Sequence, residues 1–301
     1  MNDSPTPPTP RHVPVLPAEV LHYLAPASGE TIVDATVGAG GHARLIAERL
    51  GNSGRVIGLD RDEMMLDLAR PRLTGLPTTL LHGNYDRLRD VLDEQGITAV
   101  DGVLADLGFC SDQMDAPERG LSFSQPGPLD MRLDPTQGEP ASTLLRRLNE
   151  RDLANLIYEN GEERFSRRIA RRIVEARRSR PIETTEDLAE LVRRCVPRSK
   201  GKRSVIDPAT RTFQALRIAV NDELGGLERL LEKLPRCLKP GGRVVIISFH
   251  SLEDRRVKHA FRDRAIWDVL TRKPVQASEE EVQSNPRSRS AKLRAARMIP
   301  V

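Results

Sequence analysis

Three carboxylates and two histidines stand where an α/β chain does its chemistry. Asp34 lies in TIVDATVGAGGHA (31–43), where an apolar run meets Gly38, Gly40 and Gly41 and then a helix start. Glycines at a strand end remove Cβ atoms, so a ligand can approach backbone amides and the positive end of the following helix. Asp60 closes RVIGLD (55–60), where an acid would accept hydrogen bonds from ribose hydroxyls. Asp106 closes the apolar part of VDGVLADLG (100–108), and His250 closes RVVIISFH (243–250). Together they predict a site for a nucleotide-like cofactor. Residues 38–43 satisfy the GxGxxG/A dinucleotide fingerprint, which by itself fits NAD and S-adenosylmethionine equally.

Three features separate those two ligands. Asp34 stands four residues before the first glycine, suited to a cationic methionyl group and repulsive toward a pyrophosphate. The turn Leu238-Lys239-Pro240-Gly241-Gly242 resembles the one before the fifth strand of class I methyltransferases. Asp106 ends the fourth strand, at the carboxyl edge where a doubly wound sheet holds its ligand. Two structural roles compete with these: Asp34 as a loop-capping acid, and Asp60 as an N-cap for the segment from Asp62.

The elements that must position these side chains follow from patterning. TIVDATV, RVIGLD, TTLLHG (78–83), VDGVLADLG and RVVIISFH read as strands, with two weaker candidates near 269–277 and 291–299. Helical segments separate the first four, the signature of right-handed βαβ units in a parallel sheet. About 130 residues between the fourth and fifth strong strands exceed one crossover helix and predict an insertion. It opens with a glycine- and proline-rich loop from Ser111 to Pro140. Helical material follows between Asn160 and Arg178, with Phe165, Ile169 and Ile173 as its buried stripe, and again near 185–195. Asp207-Pro208 reads as a helix start, and Gly225-Gly226 as the split between two later helices. The expected division is a disordered proline-rich tail (1–10), a sheet domain from 11–109 and 209–301, and a helical insertion (110–208).

Composition narrows the class. In 301 residues, 38% hydrophobic content supports an ordinary core, and no apolar run of membrane-spanning length occurs. Cys110, Cys195 and Cys237 are scattered without CxxC pairing, which predicts a cytoplasmic protein without structural zinc, and no metal-ligand spacing is found elsewhere. Net charge is only +4, yet 40 of the 47 basic residues are arginine. Arginine grips phosphate bidentately and stacks on bases, which is compatible with RNA; codon bias in a GC-rich genome explains the same composition.

Longer motifs carry a resemblance. HVPVL (12–16), DATVGAGGHA (34–43), DLGFCSDQMD (106–115), RGLSFSQPGPLDMRLD (119–134), PATRTFQALRIAVNDEL (208–224), ISFHSLEDRRVK (247–258) and NPRSRSAKLRAA (285–296) resemble, in order, motifs of the bacterial ribosomal RNA small subunit methyltransferase H family, the MraW family. The resemblance implies a class I Rossmann-like methyltransferase: a doubly wound, mostly parallel α/β sheet with an inserted helical domain that recognises RNA. It implies transfer of a methyl group from S-adenosyl-L-methionine to N4 of cytidine 1402 in 16S rRNA of the small ribosomal subunit. The implied cofactor contacts are Gly40, Gly41, His42, Asp60, Asp106 and Gln113, with Tyr85 where the family often has phenylalanine. The family usually reads DLGVSSPQLD, whereas this chain has Phe109, Cys110 and Asp112.

Cytosine N4 is a poor nucleophile because its lone pair is conjugated with the ring, so positioning, desolvation and a hydrogen-bond acceptor must supply the rate. Asp106 is the first catalytic candidate, with Phe109 three residues on, matching the acid-to-aromatic spacing of DNA amino-methyltransferases. His250 is the second, against a plain role capping the helix from Ser251. Arg132, the loop Arg198–Arg203, Arg287, Arg289, Lys292 and Arg294 are candidate RNA contacts. A dehydrogenase and a non-catalytic ribosome-assembly factor are the alternative functions, and monomer and homodimer both remain open.

Overall fold

The computed structural model describes residues 13–197 and 207–300. The expected tail (1–10), His12 and the basic loop Arg198–Arg203 lie outside them. In chain order the first elements are α1 (Pro17–Leu24), β1 (Thr31–Asp34), α2 (Gly41–Leu50), β2 (Arg55–Asp60), α3 (Glu63–Arg72), β3 (Thr78–His82), α4 (Leu88–Glu94) and β4 (Val100–Asp106). Then come α5 (Ser111–Met114), α6 (Ala141–Arg147), α7 (Glu150–Gly161), α8 (Ser166–Ala176), α9 (Thr185–Cys195) and α10 (Thr210–Asn221). The chain closes with α11 (Glu223–Lys233), β5 (Leu238–Ser248), α12 (Ser251–Ala260), β6 (Trp267–Val269), α13 (Glu279–Ser284) and β7 (Lys292–Met298).

The strands form one sheet in the order β3-β2-β1-β4-β5-β7-β6. Strands β1 to β5 pair in parallel, whereas β7 runs antiparallel to both β5 and β6. Val33, Ile57, Val103 and Ile246 join one buried cluster, while their neighbours Ile32, Val56, Leu104 and Val245 join another. Burial on both faces is why these strands read as continuous apolar runs. Lys239–Gly242 does not precede the fifth strand as a turn. Val100 pairs with Leu238 and Gly102 with Arg243, so those residues bulge out of β5 itself.

Two compact units result: the described residues up to Asp112 with those from Gly225 onward, and Gln113–Leu224. The second therefore takes in α10, which a boundary at 208/209 leaves with the sheet. Inside it α7 packs on α8 and α10. A Cβ on Gly161 would lie 2.5 Å from the Arg211 carbonyl, so only glycine allows that approach of α7 to α10. Asn221 ties the loop down, accepting from Leu133 N–H at 2.8 Å and donating to the Met131 carbonyl at 2.7 Å.

Three boundaries differ from the sequence expectation. The stretch 160–178 is not one helix, because α7 ends at Gly161, Glu162 turns into the left-handed region (φ 48°) and α8 begins at Ser166. Helix α10 begins at Thr210, with Asp207 accepting from the Ala209 N–H at 2.8 Å ahead of it. The helix break falls at Asp222 (φ 47°), and Gly225-Gly226 sits within α11. Gly226 serves packing: a Cβ there would lie 3.4 Å from the Tyr85 ring.

Candidate active site

The carboxyl ends of β1, β2 and β4 bring Asp34, Asp60 and Asp106 to one edge of the sheet, beside the glycine turn. Backbone bonds lock that turn in place: Ala35 N–H donates to Leu104 O at 2.8 Å and Val37 N–H to Leu59 O at 2.7 Å. Thr36 Oγ1 accepts the Asp106 N–H at 2.7 Å, so the turn and the end of β4 are fixed to each other.

The glycines divide their work. At Gly38 (φ 51°) an added Cβ would meet only the Thr36 carbonyl, at 3.9 Å. Gly40 (φ 84°) makes room for Leu73, and Gly41 for Pro14. Gly40 and Gly41 thus shape the turn by packing against the protein's own side chains, whereas Gly38 offers open backbone. Helix α2 then starts at Gly41, with the unpaired first-turn N–H groups that every helix carries.

Asp60 holds the turn from the next strand. Its Oδ2 accepts the Gly38 N–H at 2.8 Å and its Oδ1 the Asp62 N–H at 2.9 Å. Asp62, not Asp60, is the N-cap of α3. Burial pushes the Asp60 carboxyl up to about 6, with those two N–H donations pulling the other way.

Asp34 is buried, accepts weakly from Thr36 N–H at 3.3 Å through Oδ1, and has no partner for Oδ2 among the described residues. Burial raises its carboxyl to about 7; His42 and the Thr36 N–H oppose that rise, while Asp106 and Asp60 add to it. His42 Nε2 lies 3.6 Å from Asp106 Oδ2, too far for a hydrogen bond. Among the described residues neither ring nitrogen of His42 nor Asp106 Oδ1 has a hydrogen-bond partner. Unpaired buried polar atoms cost stability, so a cluster of them in one place marks a site built for a ligand.

Tyr85 follows β3 and packs against Gly226. Gln113 is buried in α5, in the second unit. His250 holds the N-cap position of α12, where Glu253 reaches back to the Phe249 N–H at 2.8 Å. Its Nε2 is 3.2 Å from Glu253 Oε1, yet neither ring nitrogen makes a hydrogen bond among the described residues. Arg132 is held by Asp130 through two 2.8 Å bonds, and buried Arg294 by Asp254 at 2.6 Å, so both are structural ion pairs. Arg287 donates to the Phe109 carbonyl at 3.2 Å with its guanidinium 5.7 Å from the Phe109 ring centre. Sequence patterning held no signal for that clamp.

The antiparallel β7 inserted between β5 and β6 distinguishes this sheet from the all-parallel dinucleotide fold. Sheet and site together define a class I methyltransferase. A sequence model of the MraW methylase family matches residues 9–299, and the chain belongs to that family. It is 53% identical over 306 residues to ribosomal RNA small subunit methyltransferase H of Sorangium cellulosum, covering 99% of this chain and 95% of that one. Proteins of the same name from Deinococcus deserti and Geotalea uraniireducens are 51% and 49% identical, each over 96% of this chain and 94% and 98% of their own.

The methyl donor of this fold class is S-adenosylmethionine, and the residues present fit it. Three carboxylates around the turn suit a ligand bearing sulfonium and ammonium charge. Asp34 beside the turn would repel a pyrophosphate, and the turn's Gly38 N–H is already given to Asp60. The site favours the methyl donor over a nicotinamide dinucleotide.

Proposed function

We propose that this protein transfers a methyl group from S-adenosylmethionine to N4 of cytidine 1402 in 16S rRNA of the small ribosomal subunit. The observation that carries the proposal is Asp106, a half-buried carboxylate whose Oδ1 is buried and unpaired among the described residues, at the sheet edge beside the glycine turn. Membership of the MraW family, and relatives named for the small-subunit RNA, support the substrate. The donor supplies an electrophilic methyl carbon and keeps the carbon–sulfur electron pair.

Gly40, Gly41 and His42 form the turn and first helical residues that hold the methionyl part. Asp60 accepts from the ribose hydroxyls, and the Tyr85 ring covers the adenine. Asp34 stays beside the positive charge. Asp106 Oδ1 accepts a hydrogen bond from the target amine, which localises the nitrogen lone pair toward the methyl carbon. As the N–C bond forms, the amine gives up one proton, and the Asp106 carboxylate takes it. His250 orients the base from the end of β5. The basic helical unit, Gln113–Leu224, engages the RNA.

The test uses purified protein, donor carrying an isotopically labelled methyl group, and 16S rRNA both free and in small subunits. Label recovered as N4-methylcytidine at a single position is the expected result. Label on carbon, on oxygen or at scattered positions refutes the proposal.

A further inference from the structure

The described part of the helical unit carries an arginine-rich face that the reaction chemistry does not use. From Arg164 to Arg180 there are eight arginines and one acid, Glu175. That charge exceeds the net +4 of the whole chain, so the rest of the molecule is net negative. Uniform codon bias does not concentrate charge in this way. Helix α9, by contrast, sets Glu186, Asp187 and Glu190 against Arg193 and Arg194.

Helix geometry puts Arg167, Arg168, Arg171 and Arg172 on one face of α8. Ser166, Ile169, Ala170 and Ile173 are buried, while Arg164, Arg167, Arg168, Arg171 and Arg172 are all exposed. Positions three and four apart on a helix are about 5–6 Å apart, so the guanidinium groups form a continuous strip. Three of the eight are ion-paired: Arg171 lies 3.7 Å from Glu150, Arg172 2.9 Å from Glu175 and Arg180 3.5 Å from Asp187. Arg177 donates to the Leu145 and Leu148 carbonyls. Arg167 and Arg168 form no ion pair among the described residues. The apolar face of α8 is spent on its own core, which rules out insertion into a lipid surface.

We propose that the exposed face of α8, centred on Arg167, Arg168 and Arg171, is a docking surface for the phosphate backbone of the RNA substrate. It rests on the proposed function for the identity of the RNA. Guanidinium groups bind phosphate bidentately without reading bases, so this face supplies affinity and registers the strand; choice of cytidine belongs to the other unit.

The experiment measures binding of a 16S rRNA fragment containing the target cytidine across a salt series. It compares the full-length protein, the variant Arg167→Gln/Arg168→Gln/Arg171→Gln, and a control with equal charge removed from the sheet unit, Arg70→Gln/Arg87→Gln/Arg297→Gln. The control residues are exposed and paired with Glu63, Glu94 and Asp268. The α8 variant should bind at least 10-fold more weakly and lose about 2–3 from the slope of log affinity against log salt. The control should stay within about 2-fold. Unchanged affinity and slope in the α8 variant, or equal loss in the control, overturns the proposal. Donor binding and circular dichroism confirm that each variant is folded. Methyl transfer by the wild-type protein on the same RNA is scored separately, so RNA binding through α8 without transfer refutes the reaction and leaves the surface standing.

Discussion

Asp34 ties stability to function through one proton. Folded, it holds that proton up to about pH 7, whereas its ordinary value is 3.8. Between those values the native state binds more protons than the unfolded chain, so this residue lowers stability as pH rises from about 4 to 7, with no further loss above. Asp34→Asn keeps the neutral form at every pH. Its stability relative to wild type should therefore increase from pH 4 to pH 8 by on the order of a few kcal/mol, read by denaturant unfolding. A difference independent of pH would contradict the burial argument. Wild type should gain donor affinity between pH 6 and 8, because a cationic ligand favours the ionised carboxylate, and the same variant should lack that rise. Asp106→Asn tests the neighbouring carboxylate: single-turnover transfer should fall by roughly 10²–10⁴-fold. Near-normal rates would remove Asp106 from the chemistry.

At the scale of elements, the strands show how an internal packing fault would reach the site. Gly58 in β2 lies between β1 and β3, and an added Cβ would stand 2.7 Å from Leu80 and 2.9 Å from Val37. Gly58→Ala should cost roughly 1–3 kcal/mol and weaken donor binding, since Val37 anchors the glycine turn. Thermal unfolding and donor titration check both; a variant matching wild type in each would refute the coupling. Strands β1, β2, β4 and β5 were legible because burial on both faces leaves unbroken apolar runs, the half-buried edge strand β3 by its short run TTLLH, and the glycine turn because glycine alone removes the Cβ there. The antiparallel β7 was legible only as a weak apolar segment, since strand direction leaves no mark in a run such as KLRAARM. Gly225-Gly226 misled for a physical reason: those glycines sit in a helix, where Gly226 leaves room for Tyr85, a contact 141 residues away in sequence. Arg132 and Arg294 likewise looked like free charges until Asp130 and Asp254 were seen beside them.

Over the whole molecule, modest net charge hides a division of labour. Carboxylates gather at the sheet edge, where a small cationic donor fits, and arginines gather on α8, which suits a polyanion. Donor binding should consequently change little between low and moderate salt, because its contacts are buried, while RNA binding should fall steeply. Parallel titrations of both ligands test this, and equal salt sensitivity would contradict it. The central claim remains the reaction itself. Its most direct test is mass spectrometry of 16S rRNA from cells with and without this gene, complemented by wild type or by Asp106→Asn. The account predicts an N4-methyl group on cytidine 1402 that disappears with the gene and returns only with the wild-type protein; its persistence in cells lacking the gene would contradict the account.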